Sequence, residues 1–235
     1  MTDLIEAFQT ALSLIVTLNP DLVEIVILSL KVSLTAVAIA SLLGFAIGGA
    51  LAVYRFPGRG GVSAVLSALM GLPPVVAGLI VYLLLSNVGP LGVLQLLYTP
   101  TAMIIAQVVL VTPIVGTLTQ QACRDLLVEY DEQLRSLGAS SSAIVITLLW
   151  DGRYRLITAV LAGFGRAIAE VGAVMIVGGN IDHVTRTITT AIALETSKGN
   201  IALALALGIV LLGIAFTVNA ALIGVQRIAH RLAYA

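Results

Sequence analysis

Charged side chains are scarce in this chain of 235 residues: they make up 10% of it, whereas 59% of the residues are hydrophobic. Soluble domains contain roughly 25% charged residues. A chain this apolar cannot cover its surface with polar groups, so we interpret its solvent as lipid. Its 12 basic and 12 acidic residues give a formal net charge of zero, which provides no electrostatic reason to expect a nucleic-acid partner.

Cysteine and histidine are also rare. The chain has one cysteine, Cys123, and two histidines, His183 and His230. One thiol cannot form an internal disulfide, and no cysteine–histidine cluster has the spacing of metal ligands. The phosphate-binding pattern G-x-x-x-x-G-K-[ST] is missing as well. The sequence therefore predicts no metal site and no cofactor bound by this chain.

The first 22 residues do not resemble a cleaved signal peptide, because Asp3 and Glu6 stand where a basic start is expected. Apolar residues between Leu4 and Leu12 recur at helical spacing. We predict a short extracytoplasmic helix that lies at the membrane surface. A sixth span is the alternative interpretation.

Five later segments are long and apolar enough to cross a bilayer, which takes about 20 residues as a helix. Turn-forming residues in SNVGPLG and YTPT separate the second segment from the third. The sequence therefore predicts an all-α integral membrane protein whose transmembrane domain covers residues 23–227, followed by a tail at 228–235. The spans are Val23–Tyr54, Gly61–Ser86, Thr101–Ala122, Leu156–Gly179 and Ile201–Val225.

Basic residues between the spans indicate the orientation, since cytoplasmic loops carry an excess of Lys and Arg. Arg186 and Lys198 fall on one side of the membrane. Eight arginines fall on the other: Arg55, Arg59, Arg124, Arg135, Arg153, Arg155, Arg227 and Arg231. This asymmetry predicts a protein of the cytoplasmic membrane with its N-terminus outside and its C-terminus in the cytoplasm.

The longest cytoplasmic segment, residues 124–155, is helical in character on both sides of Gly138. Glycine suits the position just after a helix because it adopts a left-handed conformation cheaply, and the serines at 140–142 can cap the next helix. We predict two short helices joined by a bend and lying under the membrane. An ordinary solvated loop is the alternative.

The stretch EQLRSLG in this segment resembles the "EAA" loop of ABC-importer permeases. Glu132, Leu137 and Gly138 match the family pattern, whereas Gln133 and Leu134 replace its alanines. The late proline of the pattern is absent. The resemblance implies that this loop is the coupling helix that docks into a cytoplasmic ATPase. The coupling residues would be Glu132, Gln133, Leu134, Leu137, Gly138 and Ser140.

Further segments resemble the same family in the same order. SLKVSLTAVAIASLLGFAIGGALAVYRFPGR looks like the first core span, and GLPPVVAGLIVYLLLSNVGPLG is similar to a span of the molybdate/tungstate branch. AVLAGFGRAIAEVGAVMIVGGNI and TTAIALETSKGN are closest to tungstate permeases. The resemblance implies a type I importer permease for a tetrahedral oxyanion: tungstate, then molybdate or sulfate. It also implies a homodimer, ATPase subunits that hold ATP and magnesium, and an extracytoplasmic binding protein.

Arg166 and Glu170 place two charges near the middle of the fourth span. Charges at that depth cost about 2.5–3.5 kcal/mol each on insertion scales, so they ordinarily have a function. Their i,i+4 spacing would put them on one face of a continuous helix. We predict that this face lines the translocation pathway. A self-neutralised pair that holds helices together is the alternative.

Pro73 and Pro74 lie within the second span. Proline lacks an N–H and clashes with the preceding turn, so the helix must kink or open there. We predict a gate at this point, with a plain packing kink as the alternative.

Two other features have simpler interpretations. Gly44 and Gly48 form a small-xxx-small face that allows close helix packing, with a dimer contact as the alternative. His183 and Arg186 lie where a binding protein could dock, although single residues of this kind are more often simply solvated.

Two other protein classes are less compatible with the sequence. Secondary transporters and channels usually contain internal repeats, and five spans do not divide into halves. An intramembrane enzyme would need a nucleophile and a positioned base within the spans, and both histidines fall outside them. The sequence therefore predicts a transport protein that is not an enzyme, with a self-contained transporter or channel as the second hypothesis.

Overall fold

The computed structural model describes residues 2–233, with side chains described for 5–227. Over the described residues the chain is helical and contains no strand, which confirms the all-α prediction. A short 3-10 helix covers Gly92–Leu94. The α-helices are α1 Thr2–Val16, α2 Pro20–Val53, α3 Arg59–Leu69, α4 Pro74–Leu85, α5 Pro100–Ser136, α6 Ser141–Asp151, α7 Arg153–Ile168, α8 Gly172–Gly178, α9 Ile188–Lys198 and α10 Ile201–Ala233.

Three of these helices, α2, α5 and α10, are long and apolar enough to cross a membrane by themselves. Two interrupted pairs, α3 with α4 and α7 with α8, pass the same test when each pair counts as one span. The described residues therefore contain three to five candidate spans, and the five predicted spans correspond to the upper number. The predicted N-terminal helix is present as α1, and its position at the membrane surface stays a prediction.

The segment at residues 124–155 differs from its prediction at one point. Instead of a separate short helix before Gly138, the structure has one helix, α5, that continues from the third span to Ser136. No glycine or proline occurs between Ala122 and Gly138, so nothing interrupts the backbone hydrogen bonds of the helix before the glycine. Pro113 lies within α5 without ending it.

The chain forms two compact units. The first comprises the chain up to Thr35 with Pro73–Gln107 and Ile168–Val218. In its core, buried apolar residues of α1, α2, α9 and α10 pack together: Ala11, Leu22, Ile25, Ile188, Ala191, Ala206 and Leu207. The hydroxyl of Ser29 on α2 accepts the N–H of Ile188 at 2.7 Å, which joins the start of α9 to α2.

The second unit comprises Ala36–Leu72, Val108–Ala167 and the chain from Asn219. Here α2 and α5 approach at backbone distance. A Cβ atom on Gly44 would lie 2.9 Å from the amide nitrogen of Gly116, and one on Gly48 would collide with the Gly116 carbonyl oxygen. The packing interpretation of the two glycines is thus confirmed, since this face is occupied within the chain.

Candidate functional site

The predicted distortion at the two prolines is a complete break. Helix α3 ends at Leu69, and α4 starts at Pro74, which occupies the first helical position, where no N–H is required. Pro73 is extended, and its carbonyl oxygen accepts the N–H groups of Val76 and Ala77 at 3.0 and 3.1 Å. The segment predicted as the second span is therefore divided into two helices.

The fourth span is also interrupted. Helix α7 ends at Ile168, and Glu170 lies in the connection before α8. The prediction that Arg166 and Glu170 share one face of a continuous helix is therefore wrong. Arg166 lies in the last turn of α7 and is partly exposed, a position where a positive charge complements the helix dipole.

Glu170 is 3% exposed, and its contacts include one to α8 and one to α9. Its Oε1 accepts the N–H of Ala173 at 2.9 Å, and its carbonyl oxygen accepts the hydroxyl of Thr189 at 2.7 Å. The carboxylate satisfies an N–H in the first turn of α8 that has no partner within the helix. This capping contact explains why the chain leaves the helical conformation here, although no proline is present.

The helices that follow the two breaks, α4 and α8, pack closely on each other. A Cβ atom on Gly78 would lie 2.7 Å from the Cα of Ala173, and one on Gly172 would lie 2.8 Å from Cγ2 of Val75. Side chains at these glycines would separate the helices. The structure thus brings the predicted gate at Pro74 and the predicted pathway residue Glu170 onto neighbouring elements of one unit.

The coupling segment has the predicted bend. Gly138 has a φ of +74°, and the N–H of Ala139 donates to the carbonyl of Leu134 at 3.0 Å. The Ser140 hydroxyl accepts the N–H of Ala143 at 3.3 Å and so caps α6. The turn residues of the sequence therefore have the conformations that their chemistry favours.

The side chains of this bend point in different directions. Leu134 packs on a buried cluster formed by Ala52, Val53, Cys123, Ile144 and Leu148, whereas Leu137 is 76% exposed. Glu132 and Gln133 are exposed as well. The bend is therefore anchored by Leu134 and presents Leu137 beside the glycine, where a partner can contact it.

A cavity of about 250 Å³ in the first unit contains charged groups that sequence reasoning did not connect. We call it the acidic cavity, after its four carboxylates. Its charged lining residues are Asp21, Glu24, Asp182, His183, Arg186 and Glu195.

An ion pair joins α2 to the connection between α8 and α9 in the acidic cavity. Nδ1 of His183 lies 2.8 Å from Oε2 of Glu24, and this hydrogen bond, with the charges of Glu24, Asp182 and Asp21, raises the pKa of His183. Arg186 pairs with Asp182 at 2.5 Å and is only 15% exposed, so the solvated interpretation of Arg186 is wrong. Asp182 and Arg186 lie outside the helices, so the i,i+4 rule for helix surfaces gave no signal for this pair.

No protein-family model matches the chain. The chain is 43% identical to the tungstate uptake system permease protein TupB of Peptoclostridium acidaminophilum, over 94% of this chain and 97% of that protein. It is 43% identical to a probable anion ABC transporter permease protein of Haloferax volcanii, over 85% and 88%. The sulfate transport system permease protein CysT of Salmonella typhimurium is 31% identical, over 71% and 62%.

The similarity to the first two relatives extends over 94% and 85% of the chain. It therefore includes both interrupted helix pairs and the bend at Gly138. The sulfate permease is more distant in identity and in coverage. The chain therefore belongs to the family of ABC transporter permease proteins that includes the tungstate uptake permeases.

Proposed function

We propose that this chain is the membrane-spanning subunit of an ATP-driven importer of a tetrahedral oxyanion, and that the oxyanion is tungstate. The observation that carries the proposal is 43% identity over 94% of the chain to a permease of a tungstate uptake system. Sulfate is less favoured, because the identity to a sulfate permease is 31%. Molybdate is a further alternative on chemical grounds, since it is also a tetrahedral dianion.

The ATP and magnesium of this transporter belong to a separate ATPase subunit. The bend at Gly138 supports this division, because it presents the exposed Leu137 to a partner while Leu134 anchors it. The ATPase docks at this bend, in the cytoplasm, and ATP-driven movement of the ATPase passes into α5 and α6. The homologous permeases support assembly with ATPase subunits, and a second copy of this chain completes the pathway.

The extracytoplasmic binding protein docks on the opposite side. The acidic cavity supports this placement, because His183 and Arg186 fall on the side with few basic residues and four carboxylates surround them. Charged groups of this kind steer partners of complementary charge.

Within the membrane, Arg166 supplies the positive potential that a dianion requires in a medium of low dielectric constant. The broken helix at Pro73 and Pro74 forms the gate. Glu170 positions α8 through its hydrogen bond to Ala173, and α8 packs on α4 next to that gate. In this scheme Glu170 acts through the helix that it caps.

Deletion of the gene in its host, with restoration from a plasmid, tests the function. Cell-associated tungsten, molybdenum and sulfur are measured by elemental mass spectrometry at low external supply. A selective, restorable loss of tungsten is expected. Loss of molybdenum or sulfur instead would retain the importer and change its substrate, and no change in any of the three elements would overturn the proposal.

A further inference from the structure

Three arginines surround a cavity of about 400 Å³ in the second unit, where α2 ends and α3 begins beside α5. They are Arg55, Arg59 and Arg124, and we call the space between them the basic cavity. Asp131 and Glu132 also line it. Nothing in the coupling scheme or in the pathway uses these arginines.

Arg59 is held rigidly at the base of this cavity. Its Nε donates to the carbonyl oxygen of Leu51 at 2.7 Å, and its NH2 nitrogen donates to that of Ala52 at 2.8 Å. These carbonyls belong to the last turn of α2, where backbone acceptors have no partner within the helix. A guanidinium group has five N–H donors, so these two bonds orient Arg59 and leave donors for a ligand.

The three positive charges are poorly compensated. The charges of Arg124 and Arg55 both act on the Arg59 guanidinium. Among the residues whose side chains are described, no carboxylate forms an ion pair within 4.0 Å with any of the three. Asp131 pairs instead with Arg135 at 2.6 Å. Glu132 is therefore the one acid left to oppose three arginines around the described part of the cavity.

The position of the cavity indicates what could neutralise it. It lies where the long apolar run of α2 ends, and the exposed aromatic residues Tyr54 and Phe56 flank Arg55. Aromatic residues of this kind concentrate at the level of the lipid headgroups. Guanidinium groups match the geometry of phosphate and related oxyanions through paired N–H donors.

We propose that the basic cavity binds a tetrahedral oxyanion group, supplied by the phosphate of an anionic phospholipid headgroup or by a free oxyanion in the adjoining water. Arg59 is the fixed element of the site, and Arg55 and Arg124 close on the ligand from exposed positions. The placement of the site on the cytoplasmic side rests on the proposed function. The binding itself does not, because it requires no transport.

Native mass spectrometry of the full-length permease, purified in a neutral detergent, tests the proposal. Phosphatidylglycerol and phosphatidylcholine with identical acyl chains are titrated onto the protein. The wild type should retain phosphatidylglycerol preferentially, and Arg55→Gln with Arg124→Gln should weaken that binding about tenfold or more, since each basic residue near an anionic surface contributes substantially. The matched control, Arg153→Gln with Arg227→Gln, removes two exposed charges outside the cavity and should leave the affinity unchanged.

A variant that binds the lipid more tightly than the wild type shows that the changes in binding do not come from misfolding. Glu132→Gln removes the opposing acid, so it should tighten phosphatidylglycerol binding, which a damaged protein would not do.

Equilibrium dialysis of tungstate and of inorganic phosphate, with the protein in phosphatidylcholine nanodiscs, distinguishes a lipid headgroup from a free oxyanion as the source of the ligand. A free oxyanion that binds, competes with phosphatidylglycerol and is lost in the double variant identifies the aqueous source, and no such competition identifies the lipid.

Equal retention of both lipids, together with oxyanion binding that is insensitive to Arg55 and Arg124, would overturn the proposal. Neither result depends on tungsten uptake in the host. Failure of the transport assignment and failure of this site are therefore distinguishable.

Discussion

At the scale of single residues, Glu170 differs most from what its position in the sequence suggests. A charge in the middle of an apolar segment predicts a pathway residue, yet its carboxylate accepts the N–H of Ala173 and lies buried. Sequence spacing cannot separate these two roles, because a glutamate fits equally well inside a helix and at its start. The packing prediction for the glycines at 44 and 48 is confirmed, because their face lies against Gly116 of α5 within the chain.

Two substitutions at Glu170 distinguish the effect of its capping hydrogen bond from the effect of its negative charge. Glu170→Ala removes the acceptor of the Ala173 N–H and should lower the free energy of unfolding by about 1 kcal/mol or more, whereas Glu170→Gln keeps an oxygen acceptor and should melt near the wild type in detergent. Identical melting of the alanine variant and the wild type would contradict the capping role. Lost uptake in a normally melting glutamine variant would show that transport requires the charge itself.

Arg166 provides a sharper test of the pathway. If Arg166 lines the pathway as proposed, Arg166→Ala should abolish tungsten uptake while the permease still assembles with the proposed ATPase, since the proposed pathway loses its positive charge. Arg153→Ala is the matched control: Arg153 is an exposed arginine that stacks on Tyr154 at 4.9 Å, and its loss should leave uptake intact. Normal uptake by a fully assembled Arg166→Ala variant would remove Arg166 from the pathway.

At the scale of helices, an end that a proline or glycine causes can be predicted from the sequence more easily than one that depends on a side-chain contact. The prolines at 73 and 74 and the glycine at 138 mark breaks that backbone chemistry imposes, and these breaks were predicted. The break after Ile168 is accompanied by the cap that Glu170 forms on Ala173, and a glutamate in an apolar run gives no sign of that role. Helix α9 has local signals at both ends, the capping box of Thr187 with Thr190 and the left-handed Gly199, but its contact with Ser29 on α2 joins residues far apart in the sequence and is not visible locally.

The coupling bend gives a prediction for the helix pair α5 and α6. Leu137→Asp places a charge on a side chain that is 76% exposed, so the fold should be little affected while docking of the ATPase is lost. Copurification of the ATPase and ATP hydrolysis by the complex measure the effect. Val88→Asp, at a 99% exposed position in the other unit, is the control, and equal ATPase recovery from both variants would contradict the docking role.

The connection between α8 and α9 should respond to pH through His183. Its pKa is raised above the usual value, mainly by the hydrogen bond to Glu24. The pair therefore stabilises the fold fully below the unfolded pKa of about 6.5, and this contribution is lost as the pH rises through the raised value. Wild type should exceed His183→Gln in melting temperature at mildly acidic pH, and the difference should disappear at alkaline pH.

Hydrogen exchange of residues 180–187 measures the same effect locally, and protection in the wild type should fall as the pH rises through the titration. Asp21 and Asp182 also face the histidine, so Glu24→Gln is the informative second variant. If the difference in melting temperature between wild type and His183→Gln grew as the pH rises, the stabilising role of the His183–Glu24 pair would be contradicted.

At the scale of the whole molecule, composition and hydropathy already indicate a membrane protein with about five spans. The loop charges predict its orientation, which the fold alone does not test. The division into two compact units was not predictable, because it depends on which distant segments pack together and four of the helices contribute residues to both units.

The single cysteine makes the orientation testable. Cys123 is 1% exposed, so the wild type should not react with a membrane-impermeant maleimide. Val88→Cys should be labelled in intact cells, whereas Val128→Cys, at an 89% exposed position, should react only after the membrane is permeabilised. The reverse labelling pattern would show that the orientation is opposite to the prediction. If the wild type is labelled at Cys123, the two cysteine variants must be made in a Cys123→Ala background.

The continuity of α5 has a mechanical consequence. At 1.5 Å per residue its 37 residues extend over about 55 Å, well beyond the roughly 30 Å of the hydrocarbon layer. The part of α5 after Gly116 lies in the second unit and contains no glycine or proline, and its 20 residues form a lever arm of about 30 Å: a tilt of about ten degrees at one end displaces the other by roughly 5 Å. Stiffness along this helix, rather than a hinge between two short ones, would then determine how far a movement at the bend travels.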